Sequence, residues 1–395
     1  MLRFTTAGES HGIALVSILE GMVAGLPLLA DDVDVELARR QQGYGRGRRM
    51  KIESDHAEIL SGVRAGETLG SPIAMLIHNR DWKNWQEIMD PAPREGDPER
   101  KRVVTRPRPG HADLSGMLKY DRDDARDILE RASARETTAR VAAGAICKKL
   151  LRSFDITLGS HVVHLGGVDA RRPAKMPADL NAAADASPLR TLDAEVESEM
   201  IARIDAAKAE GNTLGGIAEV VCDGVPVGLG SHVSWDRKLD GRLAAALMSI
   251  PAVKAVEVGL GVEGATRKGS EVHDEIDPDE TNVRAGRVRR RTNRAGGLEG
   301  GITNGEQIVL RVSMKPISTL MRPLGTVEMK TREPAQAVAE RSDVTAVPAM
   351  GVIAEAMTAF VVAEAFLEKF GGDSLGETRR NYDNYIASLS DRTGR

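Results

Sequence analysis

The sequence predicts an α+β fold, and three observations carry that expectation. Strand-like and helix-like segments are interleaved along the whole of the 395 residues, which calls for sheets and helices packed in layers. One segment near the C-terminal end, 346–370, is so apolar that its helix keeps only a narrow polar face, as a helix buried between layers would. Aromatic residues make up only 3% of the chain while glycine alone contributes 40 residues, so the core must be packed by small aliphatic side chains with close backbone approach.

In chain order, IALVSILEG at 13–21 predicts a buried strand, and DDVDVELARRQQG at 31–43 a helix that opens on aspartate and closes at glycine. SPIAMLIHN at 71–79 is a second strand, followed by a polar loop containing tryptophans. In RPRPGHADLSG, 106–116, Arg106 and Arg108 each precede a proline and are pushed toward extended backbone. The stretch is therefore a stiff loop that presents two guanidiniums and, after a turn at Gly110, the imidazole of His111. Residues 123–154 have a helical pattern, interrupted by SARE at 133–136, which reads as a capping box with Ser133 as N-cap and Glu136 at the third position. The free N–H groups of the helix that starts there would lie beside Arg131 and Arg135.

Further on, 161–168 is a strand, 193–211 a helix, 215–230 strands, 240–250 a helix, 254–261 a strand and 305–316 the last strand. The apolar helix follows, and 371–395 reads as a mobile tail after a single domain at 1–370. A weak echo links HGIALVSILEGMVAG at 11–25 with GGIAEVVCDGVPVG at 215–228. Either the core is internally duplicated or two glycine-bounded strands look alike by chance.

Composition narrows the function. With 54 basic against 58 acidic residues and a net charge of −4, the chain has no global basic field, and few aromatics to stack on bases, so no nucleic-acid partner is expected. Cys147 and Cys222 have no zinc-like spacing, and His161 and His164 lack a third ligand, so no metal is expected. The N-terminus carries no signal pattern and no run approaches eighteen apolar residues, so a cytoplasmic protein with no membrane partner is the expectation. G-x-G-x-x-G occurs at 259–264, but no apolar helix follows to carry a pyrophosphate, which makes it a glycine-rich turn. Neither a P-loop nor a serine nucleophile elbow is present.

Clusters of arginine remain: Arg39, Arg40, Arg46, Arg48 and Arg49; Arg106 and Arg108; Arg131 and Arg135; and Arg341. Most stand beside glycine, proline or a helix end, where backbone can approach an anionic ligand. RVRRR at 287–291 lacks such company and reads as a solvated face. Asp343 stands two residues from Arg341, just before the apolar helix. It is either a base held ionised by arginine or, with Ser342, a cap for that helix.

Taken together, AGESHG (7–12), GYGRGRRM (43–50), RPRPGHAD (106–113), ERASARETTARVAAG (130–144), NRAGGLEGG (293–301), MKPIST (314–319) and RSDVTAVPA (341–349) resemble the chorismate synthase family, in order, from Met1 to about Phe370. The departures, around 165–200 and 280–291, fall outside these motifs. The resemblance implies a layered sandwich with central helices between antiparallel sheets, assembled as a homotetramer. It implies loss of phosphate and of the C6 proton from 5-enolpyruvylshikimate 3-phosphate by 1,4-elimination, with reduced FMN. NADPH on this chain, or an external reductase, would supply the reducing equivalents. By the same resemblance, His11 would protonate the leaving phosphate, His111 would stabilise the reduced flavin, and Asp343 would handle the proton at flavin N5. Ser10, Arg40, Arg49, Arg108, Arg135 and Arg341 would hold the substrate. Arg46, Arg131, Ala132, Ser133, Pro251, Ala252, Gly300, Lys315, Pro316, Ile317, Ser318, Thr319 and Arg341 would hold FMN.

Overall fold

Two antiparallel sheets enclose a layer of helices. A computed structural model describes residues 1–47, 54–92, 101–338 and 342–392. Strand β1 (Arg3–Ala7) pairs with β2 (Ala14–Glu20) from Arg3↔Glu20 to Ala7↔Val16. In β2 the alternation buries Leu15, Ser17 and Leu19, the period-two pattern of a strand with one face on a core. Helix α1 (Ala30–Gln41) carries Asp31 and Asp32 in its first turn and Arg39 and Arg40 in its last, each sign placed to suit the helix dipole. Strands β3 (Glu58–Ile59) and β4 (Ile73–His78) complete the first sheet, in the order β1-β2-β4-β3.

Helices α2 (Asp113–Tyr120) and α3 (Arg126–Leu129) surround a small satellite core of Val104, Met117, Ala125 and Leu129. A 3₁₀ turn, Ala134–Glu136, leads into α4 (Thr137–Arg152). Then come β5 (Thr157–Leu165), β6 (Val168–Asp169), α5 (Leu180–Asp185), α6 (Ala194–Ala209), β7 (Gly216–Asp223), α7 (Leu239–Met248), β8 (Val253–Val258) and β9 (Ile308–Met314). These strands form the second sheet, β8-β9-β7-β5-β6. The two echoed segments contain β2 and β7, each an interior strand of its own sheet.

Helix α8 (Val347–Phe370) is the central element. Its 24 residues span about 36 Å at 1.5 Å per residue. It packs on α4 and α1 on one side, and on β5 and β7 on the other. Its length and apolarity would suit a membrane span, yet 83% of its most apolar stretch is buried inside the molecule. The helices approach closely because their contact is built from small residues: a Cβ on Gly144 of α4 would stand 2.4 Å from the Cβ of Ala356 and 2.6 Å from its Cα. Gly144→Ala therefore forces the two backbones apart. We expect it to destabilise the fold by about 1–3 kcal/mol, the usual cost of overpacking, read as a lower denaturant midpoint; an unchanged midpoint would show that the α4–α8 crossing is plastic.

Three expectations change or gain detail. The C-terminal segment is not a loose tail: Leu375–Arg392 forms helix α9. Tyr382, 5% exposed, sits against Phe154, Phe366 and Phe370 with ring centroids 5.2–5.5 Å away. Residues 373–375 are tied to Ala24 by two backbone bonds of 2.9 Å. Second, the C-terminal half of the segment 215–230 forms no continuous strand, because Gly224, Gly228 and Gly230 all adopt positive φ. Third, the solvated face at 287–291 carries ion pairs that its spacing did not show, Arg290 with Glu299 at 2.8 Å and the exposed Arg291 with Asp277 at 2.9 Å. The stretch at 259–264 does run into a 3₁₀ turn, Gly261–Thr266, and not an α-helix.

Candidate active site

The loop between β1 and β2 carries Ser10 and His11. It can turn so sharply because Gly8 has φ +102° and its missing Cβ would overlap the carbonyl oxygen of Ala14; a side chain there is sterically excluded. Asn79, at the end of β4, donates to Glu9 O at 3.1 Å and Gly12 O at 2.8 Å and so fixes the loop. Ser10 N donates to Glu130 O at 2.9 Å. The Glu130 carboxylate in turn accepts from His11 N at 3.0 Å and from His11 Nδ1 at 2.8 Å, and from Arg126 Nη1 at 2.9 Å. Burial pushes the Glu130 carboxyl upward, but the His11 hydrogen bond and the Arg126 charge overcome it and the net shift is downward. Trp85 stacks on the imidazole, centroids 3.9 Å apart and planes within 25°.

Beside this corner lies a buried arginine cluster. Ser133 Oγ donates to Ser10 Oγ at 3.0 Å and accepts from Arg135 N at 3.3 Å. Half of the expected capping box is therefore present. Glu136 does not close it, because its carboxylate is engaged by Thr6 and Arg140. Arg135 donates to Asn79 Oδ1 at 2.8 Å and to Asp55 Oδ1 at 2.5 Å. Arg40, 4% exposed, donates to Thr137 Oγ1 at 3.0 Å and Ala134 O at 2.8 Å. Among the described residues its Nη1 has no hydrogen-bond partner, and the Asp55 carboxylate is 3.8 Å away. Burial lowers the Arg40 pKa to about 9, with the charges of Arg46 and Arg135 adding to the effect and Asp55 opposing it. The cluster is thus short of negative charge.

Asp343 borders the cluster. It accepts from Gly47 N at 2.6 Å and faces Arg46 Nε at 3.1 Å. The first N–H of α8, that of Val347, donates to Thr345 Oγ1 at 3.4 Å, while the contacts of Asp343 go to Gly47 and Arg46, so Asp343 is an arginine-paired carboxylate and not the cap of that helix. Leu214 N donates to Val344 O at 2.8 Å and Thr213 Oγ1 to Ile317 O at 2.7 Å, which joins this corner to the last one.

There His111 Nδ1 meets Asp113 Oδ1 at 2.5 Å. Arg108 donates to the other oxygen of Asp113 through Nε at 2.9 Å and to Thr319 Oγ1 at 2.8 Å. Burial raises the Asp113 carboxyl, but the bonds from His111 and Arg108 outweigh it and hold the group far below the usual carboxylate range. Lys315 Nζ reaches Gly110 O at 2.5 Å, and Lys315 N donates to Ala252 O at 3.0 Å. Ala252 follows Pro251 and is left-handed at φ +68°, a conformation that costs energy for any residue with a Cβ.

The fold therefore brings together Ser10, His11, Arg40, Arg46, Arg131, Ala132, Ser133, Arg135 and Asp343 on one side, and Arg108, His111, Pro251, Ala252 and Lys315 to Thr319 on the other. Arg131 is tied to Thr6 O at 2.9 Å and Gly8 O at 3.1 Å. Gly300 is not with them. It lies in the hairpin 298–303, whose Gly301 O accepts from Leu239 N at the start of α7, while Pro251 and Ala252 follow that helix's other end. Gly300 is thus separated from Pro251 and Ala252 by the length of α7. Arg49 and Arg341 lie outside the described residues. The sequence reading missed Glu130, Asp113, Asp55 and Trp85. His161 and His164 pair with Glu219 at 3.3 Å and Asp169 at 2.6 Å, and among the described residues no group of three or more His, Cys, Asp or Glu is placed to hold a metal.

Comparisons with known proteins agree on one family. The family model described as Chorismate synthase matches residues 2–367. A Geobacter sulfurreducens protein named chorismate synthase is 57% identical over 389 residues, covering 98% of each chain. A Pelobacter propionicus relative with the same name is 59% identical over 392 residues, covering 98% of this chain and 99% of that one. A solved structure titled "Crystal Structure of Chorismate Synthase" superposes with a TM-score of 0.79 at 44% identity, covering 99% of this chain and 98% of that one.

Proposed function

Because the chain belongs to the chorismate synthase family, lyases that catalyse the last step of the shikimate pathway, we propose that the two corners described above form the site at which 5-enolpyruvylshikimate 3-phosphate loses phosphate and its C6 proton. The observation that carries this reading is the arginine cluster linking His11 to Asp343, in which a buried guanidinium nitrogen of Arg40 lacks a hydrogen-bond partner among the described residues. An unsatisfied buried donor costs about 1–3 kcal/mol, and an anionic ligand removes that cost. A substrate with two carboxylates and a phosphate supplies such groups. Ser10, Arg40, Arg49, Arg108, Arg135 and Arg341 are its proposed ligands.

His11 donates a proton to the departing phosphate oxygen, and the arginines bind the charge that develops there. The residues also fit a flavin phosphate and ring edge. Lys315, Ser318, Thr319, Ser133, Arg46 and Arg131 form a donor set, and the left-handed Ala252 turns its backbone beside Lys315. Reduced FMN, when bound, would supply an electron-rich centre beside the substrate's C6 proton. His111 would stand by the flavin N1 and C2 carbonyl edge, and Asp343 would hold or release the proton at N5. We further propose a cytoplasmic homotetramer. NADPH on this chain and an external reductase are alternative sources of reducing equivalents; anaerobic turnover with oxidised FMN, with and without NADPH, separates them.

Alanine at His11 or His111 is expected to lower turnover about 10²-fold or more, the scale of a lost general acid or base, with chemically reduced FMN under anaerobic conditions. Substrate affinity should stay nearly unchanged. Turnover intact in both variants would remove the histidines from the mechanism.

A further inference from the structure

We propose that Glu130 and Trp85 are positioning residues for His11: the carboxylate fixes which ring nitrogen carries the proton, and the indole fixes the plane of the ring. The proposal rests on the reading of His11 as the proton donor, and it extends that reading to two residues to which no role is assigned above.

Three donors converge on Glu130. His11 N and His11 Nδ1 reach one oxygen at 3.0 and 2.8 Å, and Arg126 Nη1 reaches the other at 2.9 Å. A carboxylate surrounded in this way is ionised and can only accept. Nδ1 must therefore carry a hydrogen, and Nε2 is the one ring nitrogen left to exchange a proton with a ligand. The carboxylate's side chain is 2% exposed, so water does not compete for the contact. Arg126 is itself anchored, its Nε donating to Arg102 O at 2.8 Å.

Trp85 constrains the remaining freedom, rotation of the ring about the axis through that hydrogen bond. Its indole is stacked on the imidazole, its Nε1 donates to Asp81 Oδ2 at 3.0 Å, and the guanidiniums of Arg102 and Arg126 lie 4.4 and 5.1 Å from its ring centroid. Edge and face of the indole are both held. A ring clamped in its plane and by its Nδ1 presents Nε2 in one direction, which is the pre-organisation that proton transfer needs.

The test uses the full chain labelled with ¹⁵N-histidine, at mildly alkaline pH where free imidazole is neutral. Among its 8 histidines, the His11 signals are those missing from a His11→Gln sample. The wild-type ring should show hydrogen on Nδ1. Glu130→Gln should shift it toward the Nε2-protonated form and lower kcat about 10²-fold, as loss of a tautomer-fixing carboxylate does elsewhere, with the substrate KM changed by less than about 3-fold. Trp85→Leu should keep the wild-type tautomer and still lower kcat, by about 10-fold. A purely structural ion pair would leave the tautomer alone. Hydrogen found on Nε2 in the wild-type ring overturns the proposal even if Glu130→Gln fails to fold; so does a Glu130→Gln enzyme whose tautomer and kcat are both unchanged, or a loss confined to KM. Normal turnover in His11→Gln would instead sink the proton-donor reading while leaving the measured tautomer valid.

Discussion

Glu355→Ala is expected to destabilise the protein by about 3–5 kcal/mol, the cost of stripping the partner from a buried ion pair, and to show it as a large fall in the denaturant midpoint. Glu355 lies in the middle of α8 with no exposed surface. It accepts from Arg39 at 2.9 and 3.0 Å, Lys148 at 2.8 Å, Arg190 at 3.1 Å and Ser160 at 2.6 Å. Burial alone would raise its pKa, but the Lys148, Arg39 and Arg190 charges reverse the shift and hold it far below the carboxylate range. A group whose pKa is lower in the folded state stabilises the fold above its unfolded value, and that contribution is lost as pH falls through the folded one. The pair should therefore hold at neutral pH, and the variant should lose its full effect there. Alanine leaves three cations facing, among the described residues, only Glu36 and Asp185. Glu355→Gln, which keeps an acceptor, should fall between. A midpoint within about 0.5 kcal/mol of wild type, the range of neutral surface changes, would mean that the network contributes nothing net. Arg39 adjoins Arg40 on α1, so the same variant should also loosen the arginine cluster.

That network was half legible. A lone glutamate in VIAEAMTAF has to be paired if the helix is buried, but its partners come from α1, α4 and the segment after α5, and sequence spacing carries no trace of such contacts. The helix itself was plain, as were the strands β2, β4, β7, β8 and β9, because their apolar runs are long and bounded by glycine or polar turns. Helix α9 was missed, although its signal is there. Tyr382, Tyr385, Ile386 and Leu389 fall at i, i+3, i+4 and i+7, a helical stripe obscured by the polar composition around it. The histidines and arginines of the site stood out because proline and glycine flank them. Their carboxylate partners did not: Asp113 and Glu130 are two among 58 acidic residues, and only the fold shows that each is buried against an imidazole. Asp55 and Trp85 gave no signal for the same reason.

Asp343→Asn is expected to reduce chorismate formation about 10²-fold or more, the scale for a lost proton-transfer group, while leaving the fold nearly intact. Asparagine still offers a carbonyl oxygen to Gly47 N, now held at 2.6 Å, so the backbone contact between 47 and 343 can persist. The ion pair with Arg46 cannot. With Arg46 at 10% and Asp343 at 21% side-chain exposure the pair is partly buried, so melting should fall, but by less than the about 3–5 kcal/mol that stripping a fully buried pair costs. A cap on α8 would have predicted a nearly silent change, because asparagine caps about as well as aspartate, but the first N–H of that helix donates to Thr345 and Asp343 contacts Gly47 and Arg46 instead. The measurement pairs single-turnover product formation, with chemically reduced FMN under anaerobic conditions, with flavin binding to the same sample. Lost turnover with flavin affinity retained assigns the defect to the proton; lost turnover that tracks lost flavin affinity assigns it to the displaced Arg46. Near-normal turnover would take Asp343 out of the reaction and leave it as the carboxylate that keeps Arg46 in place.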